Sequence, residues 1–133
     1  MLLALVIAAA LQADAPASIE GTWKSPGGNS VITIAPCGDA LCGTVAWASE
    51  KAKKDSAKTT SQLVGTQILT GLKPDKRGRW HGKLFIPDRN MRVTAKIERS
   101  GSDQLKVSGC AVGKSLCKSA LWTRVDGPLP ASD

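Results

Sequence analysis

Four cysteines, one histidine and a handful of turn-borne carboxylates are the residues in this chain with the chemistry to build a site. The cysteines fall in two pairs, Cys37-Gly-Asp-Ala-Leu-Cys42 and Cys110 to Cys117. Four thiolates could close a tetrahedral zinc site, but the intervening residues number four and six rather than the usual two, and an oxidising compartment disfavours thiolates. The spacing here is that of residues flanking an antiparallel turn, roughly 4.5–5.5 Å apart at Cα, close to what a disulfide accepts. Three connectivities are possible in principle. Local pairing, Cys37 with Cys42 and Cys110 with Cys117, needs no long-range assumption. It also leaves no thiolate for nucleophilic chemistry.

His81 is the only histidine and falls on the outer side of its strand, where solvent explains it. Asp39, Asp55, Asp75, Asp88 and Asp103 sit in turns or loops, positions that solubility and turn geometry account for. No Gly-x-Ser-x-Gly elbow is present. Metal binding lacks both the histidines and the acidic cluster it would need. The expectation is a protein with no catalytic residues, no metal and no cofactor, and not an enzyme.

The residues must therefore be placed by what surrounds them. Met1 to Leu11 is an uncharged apolar run followed by small residues, Ala13 to Ala17. This reads as a signal peptide over residues 1–15, cleaved after Ala13 or Ala15. It is too short for a stable membrane span, which takes about 20 apolar residues. Its n-region carries only the α-amino charge. Paired cysteines in a short exported chain agree with an oxidising, periplasmic or secreted location. The net charge is +7 over 133 residues, which favours anionic surfaces. With one Phe, no Tyr and no stacking motif, nucleic acid is not an expected partner.

The rest of the chain alternates. A first strand is expected over Ser18–Lys24, and a hairpin follows from Ser30–Pro36 and Gly43–Ser49. Glu50–Lys58 has helix formers but no apolar stripe, so a short surface helix is expected there. Leu63–Leu69 reads as a short strand and Gly71–Gly78 as a loop. Trp80–Ile86 and Arg92–Glu98 alternate in period two, the second with Val93, Ala95 and Ile97 inward. Gln104–Ser108 turns Leu105 and Val107 inward, and the closing hairpin ends near Val125. About eight short strands with regular turns argue for an antiparallel up-and-down barrel or a sandwich. One domain is expected over 18–125, with a flexible tail over 126–133.

Gly21-x-Trp23 on the first strand, with Trp122-Thr-Arg124 on the last, resembles the calycin signature of lipocalins and related barrels. There the tryptophan closes one barrel end and the arginine lies over its ring. A wider resemblance spans Gly21–Arg124. It is carried by Gly21-Thr-Trp23, Ala35-Pro-Cys37-Gly-Asp-Ala-Leu-Cys42-Gly43, Val45-Ala-Trp47 and Leu63-Val-Gly65-Thr. Trp80-x-Gly82, Pro87-Asp88, Leu105-Lys-Val-x-Gly109-Cys110 and Leu116-Cys117-Lys-Ser-x-x-Trp122-x-Arg124 continue it. On these motifs the chain resembles the exported bacterial family numbered 2147 among domains of unknown function. The chain lacks the tyrosines that many members carry around Phe85–Arg92. The resemblance implies a small lipocalin-like β-barrel and an exported location; with the strands and surface helix expected above, the fold is an antiparallel barrel with a short helix after the third strand. It implies no particular activity.

Gly21, Trp23, Trp122 and Arg124 are then expected to close the barrel structurally. The expected function is binding of a small apolar or amphipathic, lipid-like molecule by a monomer. Its lining would come from Ile32, Ile34, Val45 and Trp47 in the first half of the chain. Leu84, Ile86, Val93, Ala95, Ile97, Leu105 and Val107 would supply the second half. An anionic envelope component is an alternative partner. The competing reading is a periplasmic inhibitor or accessory protein acting through its loops, Ser100-Gly101-Ser102 among them, on an envelope enzyme or glycan.

Overall fold

The computed structural model describes residues 18–111 and 116–129. The signal-like segment with its cleavage point, the tip of the closing hairpin and the end of the tail lie outside the described residues.

Eight antiparallel strands close into a barrel in chain order, each hydrogen-bonded to the next and the last to the first. They are β1 (Gly21–Lys24), β2 (Ser30–Cys37), β3 (Ala40–Ala48) and β4 (Gln67–Pro74). The second half supplies β5 (Trp80–Ile86), β6 (Met91–Arg99), β7 (Gln104–Ala111) and β8 (Leu116–Arg124). Helix α1 (Glu50–Asp55) follows β3. Up-and-down order puts alternate connections at the same end. One end therefore holds the chain entry and exit and the β2–β3, β4–β5 and β6–β7 turns. The other, the mouth, holds the β1–β2 loop, α1, the β5–β6 turn and the ends of β7 and β8 at Ala111 and Leu116.

The inward side of the strands is apolar because the sequence alternates, and closure leaves no long unpaired edge between most neighbours. Trp23, Leu69, Leu72, Ile97 and Leu105 are all 0% exposed and belong to one continuous core cluster. The barrel axis is thus filled by the protein's own side chains, as expected for eight strands. Packing is tight where a side chain is missing. A Cβ on Gly82 would sit 2.5 Å from the Thr70 carbonyl oxygen, so β5 approaches β4 only because that position is glycine.

Several strand boundaries differ from the sequence reading; β3 starts earlier, at Ala40, and β7 runs on to Ala111. The first strand begins at Gly21 rather than Ser18, since Gly21 has φ +138° and breaks the extended run. The expected strand over Leu63–Leu69 lies later, because Leu63–Thr66 is spent on a turn stapled to β3. There Gly65 donates to the Val45 carbonyl at 2.8 Å and Val45 donates to that of Thr66 at 2.9 Å. The strand then runs through the expected loop to Pro74, with a register shift between Thr70 and Lys73 that Gly71, at φ +62°, accommodates. Burial of Leu72 opposite Leu41 outweighs the local loop signal.

Both disulfides are local, Cys37–Cys42 and Cys110–Cys117. Only the second joins residues directly opposite each other. Cys37 pairs with Ala40 and Cys42 with Ala35, so the first bridge is diagonal across the hairpin, with its Cα atoms 5.8 Å apart.

Candidate functional site

One barrel end is sealed. Trp23 is fully buried on β1, and its Nε1 donates to the Ile19 carbonyl at 3.0 Å, which draws the equally buried Ile19 beneath the ring. The Arg124 guanidinium lies over the indole, 4.4 Å from its centroid. Register explains the meeting, since Trp23 pairs with Arg124. Arg124 also donates from its backbone to the Asp103 carbonyl at 2.9 Å, and its Nε lies 3.8 Å from the Asp103 carboxylate. Gly21 completes the seal, because a Cβ there would lie 2.8 Å from an Arg124 nitrogen. Trp122, 6% exposed, packs within the same core.

The mouth is built differently. Ser49 starts α1 by accepting from the Ala52 N–H at 3.1 Å, and its hydroxyl donates to the Asn29 side-chain oxygen at 2.9 Å. The helix is thereby fastened to the β1–β2 loop. Between α1, that loop and the β5–β6 turn lies a cavity of about 230 Å³. Its floor is apolar, from Ile32, Val45, Leu63 and Ile68, and its rim is polar, from Asn29, Ser30, Asp55, Ser56 and Asp88. Lys51 lies 2.8 Å from the Asp55 carboxylate at this rim. Its ammonium pKa is raised, chiefly by the Asp55 hydrogen bond, with the charge of Asp88 a smaller cause.

Of the residues expected to line a ligand, Ile32 and Val45 line this cavity. Ile34, Ala95, Ile97, Leu105 and Val107 are buried within the packed core, and Val93 is buried beside it. Leu84 and Ile86 are half-buried on β5, and Leu84 packs against the core. Trp47 is half-buried and stands apart from the core cluster. A register shift between Val31 and Ile32 sets Trp47 opposite Val31, where unbroken alternation would have continued the Val45 side. Its Nε1 and that of Trp80 are buried with no partner among the described residues. The rim residues escaped the sequence reading because loops carry no periodic signal. The one available cue was that the long β3–β4 connection must cross one end of a barrel.

His81 does lie on the outer side, but it is not merely solvated. Its Nε2 is 2.8 Å from Asp75 Oδ2, which makes the imidazole the donor to a carboxylate acceptor. Asp75 also accepts from the backbone N–H groups of Arg77 and Arg79 and from Arg79 Nε. The His81 hydrogen bond, and then those backbone donors, hold its carboxyl well below the usual carboxylate range. The cluster fixes the β4–β5 turn. Beside it a shallow groove of about 390 Å³ runs over the outer face, past Arg79, His81, Thr94, Lys96 and Cys110. Among the described residues no group of His, Cys, Asp and Glu could hold a metal ion. No helix there is long and apolar enough to cross a membrane.

A closed antiparallel eight-stranded barrel with a tryptophan–arginine seal at one end and a helix beside the other is a lipocalin-like fold. The same fold occurs in protein HP1028 from the human pathogen Helicobacter pylori, which belongs to the lipocalin family. The two align with a TM-score of 0.64 at 11% sequence identity, over 82% of this chain and 84% of that one. The chain belongs to the family described as an uncharacterized protein conserved in bacteria, DUF2147, whose model matches residues 21–124. No curated protein matches the chain.

Proposed function

We propose that this chain is an exported, non-enzymatic protein that binds a small apolar or amphipathic, lipid-like molecule at the barrel mouth. The observation that carries the reading is the cavity of about 230 Å³ with an apolar floor and a polar rim. Ligand sites are mostly apolar concavities with a few polar groups, and drug-sized ones run to about 300–1,000 Å³. The cavity lies just below that range, so the ligand is small or places only a short chain inside. Since the barrel axis is packed, the ligand sits at the mouth and not along the axis. Export is supported by the two disulfides, which persist in oxidising compartments, and by the signal-like residues 1–15. An anionic envelope surface as a further partner is favoured by His81, Lys83, Arg92 and Lys96, which the register of β5 and β6 puts on one outer face.

Native mass spectrometry and tryptophan fluorescence titration with octanol test the reading. Saturable binding that is lost in Ala52→Leu, which fills the cavity from α1, is the expected result. Binding unchanged in that variant, or no binding at all, would refute the mouth as the site. The competing reading, action on an envelope enzyme or glycan through the loops, is favoured by exposure of Ser100-Gly101-Ser102 on the β6–β7 turn. Inhibition of an envelope hydrolase that survives Ala52→Leu but is lost in a Ser100→Ala, Ser102→Ala double variant would favour it instead.

A further inference from the structure

We propose that the mouth selects amphiphiles with a cationic head group, a primary ammonium above all, over those headed by a carboxylate; this rests on the mouth being the ligand site. Two elements distant in sequence each bring a carboxylate to the same rim, Asp55 from the end of α1 and Asp88 from the β5–β6 turn. Neither turn geometry nor helix capping explains their shared position. An acidic residue at the C-terminal end of a helix is in fact disfavoured by the helix dipole. A cation already occupies the edge of this rim, since the Lys51 ammonium bonds Asp55 and also feels the charge of Asp88. The Lys51 side chain is 71% exposed and long, so it can swing aside or share Asp55, whose two oxygens accept several hydrogen bonds.

A second, separate observation points into the cavity. Ser56 is 4% exposed, lines the cavity, and its hydroxyl has no hydrogen-bond partner among the described residues. A ligand N–H or O–H that reaches its oxygen gains a hydrogen bond that no protein group competes for. Asn29 presents the same edge with its side-chain oxygen already engaged by Ser49. The head group that fits is a multiple donor that carries positive charge. It would meet the Ser56 oxygen and the two carboxylates while its alkyl chain covers Ile32, Val45, Leu63 and Ile68. The local sign opposes that of the whole chain, which is +7. A carboxylate-headed amphiphile would be drawn to the protein at long range and repelled at the mouth.

The test is a calorimetric titration of the full mature chain with octylammonium, octanol and octanoate at neutral pH and low salt. Charge-assisted hydrogen bonds are about twice as strong as neutral ones, so octylammonium should bind on the order of tenfold more tightly than octanol. Octanoate should bind most weakly. In an Asp55→Asn, Asp88→Asn double variant the ammonium preference should collapse, with octylammonium and octanol binding alike in that variant. Ser56→Ala should weaken ammonium and alcohol alike. Circular dichroism and urea midpoints confirm that the variants fold. Octanoate binding as tightly as octylammonium, or an ammonium preference that survives the double variant, would overturn the head-group proposal and leave the cavity reading standing. Absence of binding by all three would remove both.

Discussion

The Arg124 guanidinium and the Trp23 indole are stacked 4.4 Å apart, though they come from the last and first strands of the barrel. The contact does two jobs. It covers the aromatic face that would otherwise meet water, and it joins β8 to β1 where only Trp23–Arg124 and Lys24–Thr123 are paired. A cation on an indole face contributes about 0.5–2 kcal/mol. Arg124→Ala should lower stability by about that amount, read as a shift of the urea midpoint at constant m-value. Arg124→Lys keeps the charge but loses the planar stack and the fork, and should recover less than half of the loss. Full recovery by lysine would show that charge alone matters.

Gly21→Ala should be costlier than its size implies. The added Cβ meets an Arg124 nitrogen at 2.8 Å, and the backbone at φ +138° is a conformation that L side chains rarely adopt. A loss of about 1–3 kcal/mol is expected, with the tryptophan fluorescence of the folded state altered as Arg124 moves off the ring. An unchanged spectrum and midpoint would show that the seal does not depend on this close approach.

The two disulfides should be separable. Each closes a short loop, so the Cys37→Ser, Cys42→Ser and the Cys110→Ser, Cys117→Ser double variants should each lose about 2 kcal/mol in the chain-entropy picture. Alkylation of the unreduced, unfolded protein followed by mass measurement should find no accessible thiol. The Cys37–Cys42 bridge lies at the sealed end and its loss should leave ligand binding intact. The Cys110–Cys117 bridge lies on the mouth side, so its loss is the one to weaken binding.

Ser49 joins three parts through one hydroxyl. It caps α1, bonds Asn29 across the mouth and follows directly on β3. Ser49→Ala should cost about 0.5–2 kcal/mol as a lost N-cap. Faster amide exchange at Ala52 than at strand residues is the accompanying sign. If α1 is the wall of the ligand cavity, binding should weaken in the same variant by more than the global loss explains.

Asp75 supplies a pH dependence whose sign is fixed. Its carboxyl is held low by the His81 hydrogen bond first, then by backbone N–H groups and the Arg79 charge. A folded-state pKa below the unfolded value near 4 gives stabilisation that is fully present above that value. It is lost as pH falls through the folded value. The urea midpoint of Asp75→Asn should therefore lie below that of the unsubstituted chain by a constant amount at neutral pH. The gap should narrow only below about pH 4. A gap that persists to the acid limit would mean that Asp75 acts by turn geometry alone, without its charge.

The fold was legible because strand alternation, turn residues and cysteine spacing are local signals, and each survives into the structure. Val93, Ala95 and Ile97 face inward as their period demands, and Pro87–Asn90 turns where its residues say it should. The failures occur where tertiary pairing overrules local preference. Gly71 sits inside β4 because Leu72 must reach Leu41. Trp47 leaves its expected side because its own strand carries an extra residue between Val45 and Trp47, which shifts the register against β2. The mouth was hardest to read. Asp55, Ser56 and Asp88 look like ordinary surface and turn residues until two connections are brought over the same opening. Their relation exists only in three dimensions.

The brevity of β1 has a consequence for how the molecule comes into being. Its four residues have β2 as one neighbour, but their other neighbour, β8, is the last of the eight barrel strands in chain order. No N-terminal portion of the chain can complete its own hydrogen bonds, so every nascent or truncated form that stops short of Thr123 carries an open seam. Such low-locality closure makes for slow folding and a single cooperative transition. On the proposed export, closure that waits for β8 would favour translocation, because a chain without its seam is easier to thread.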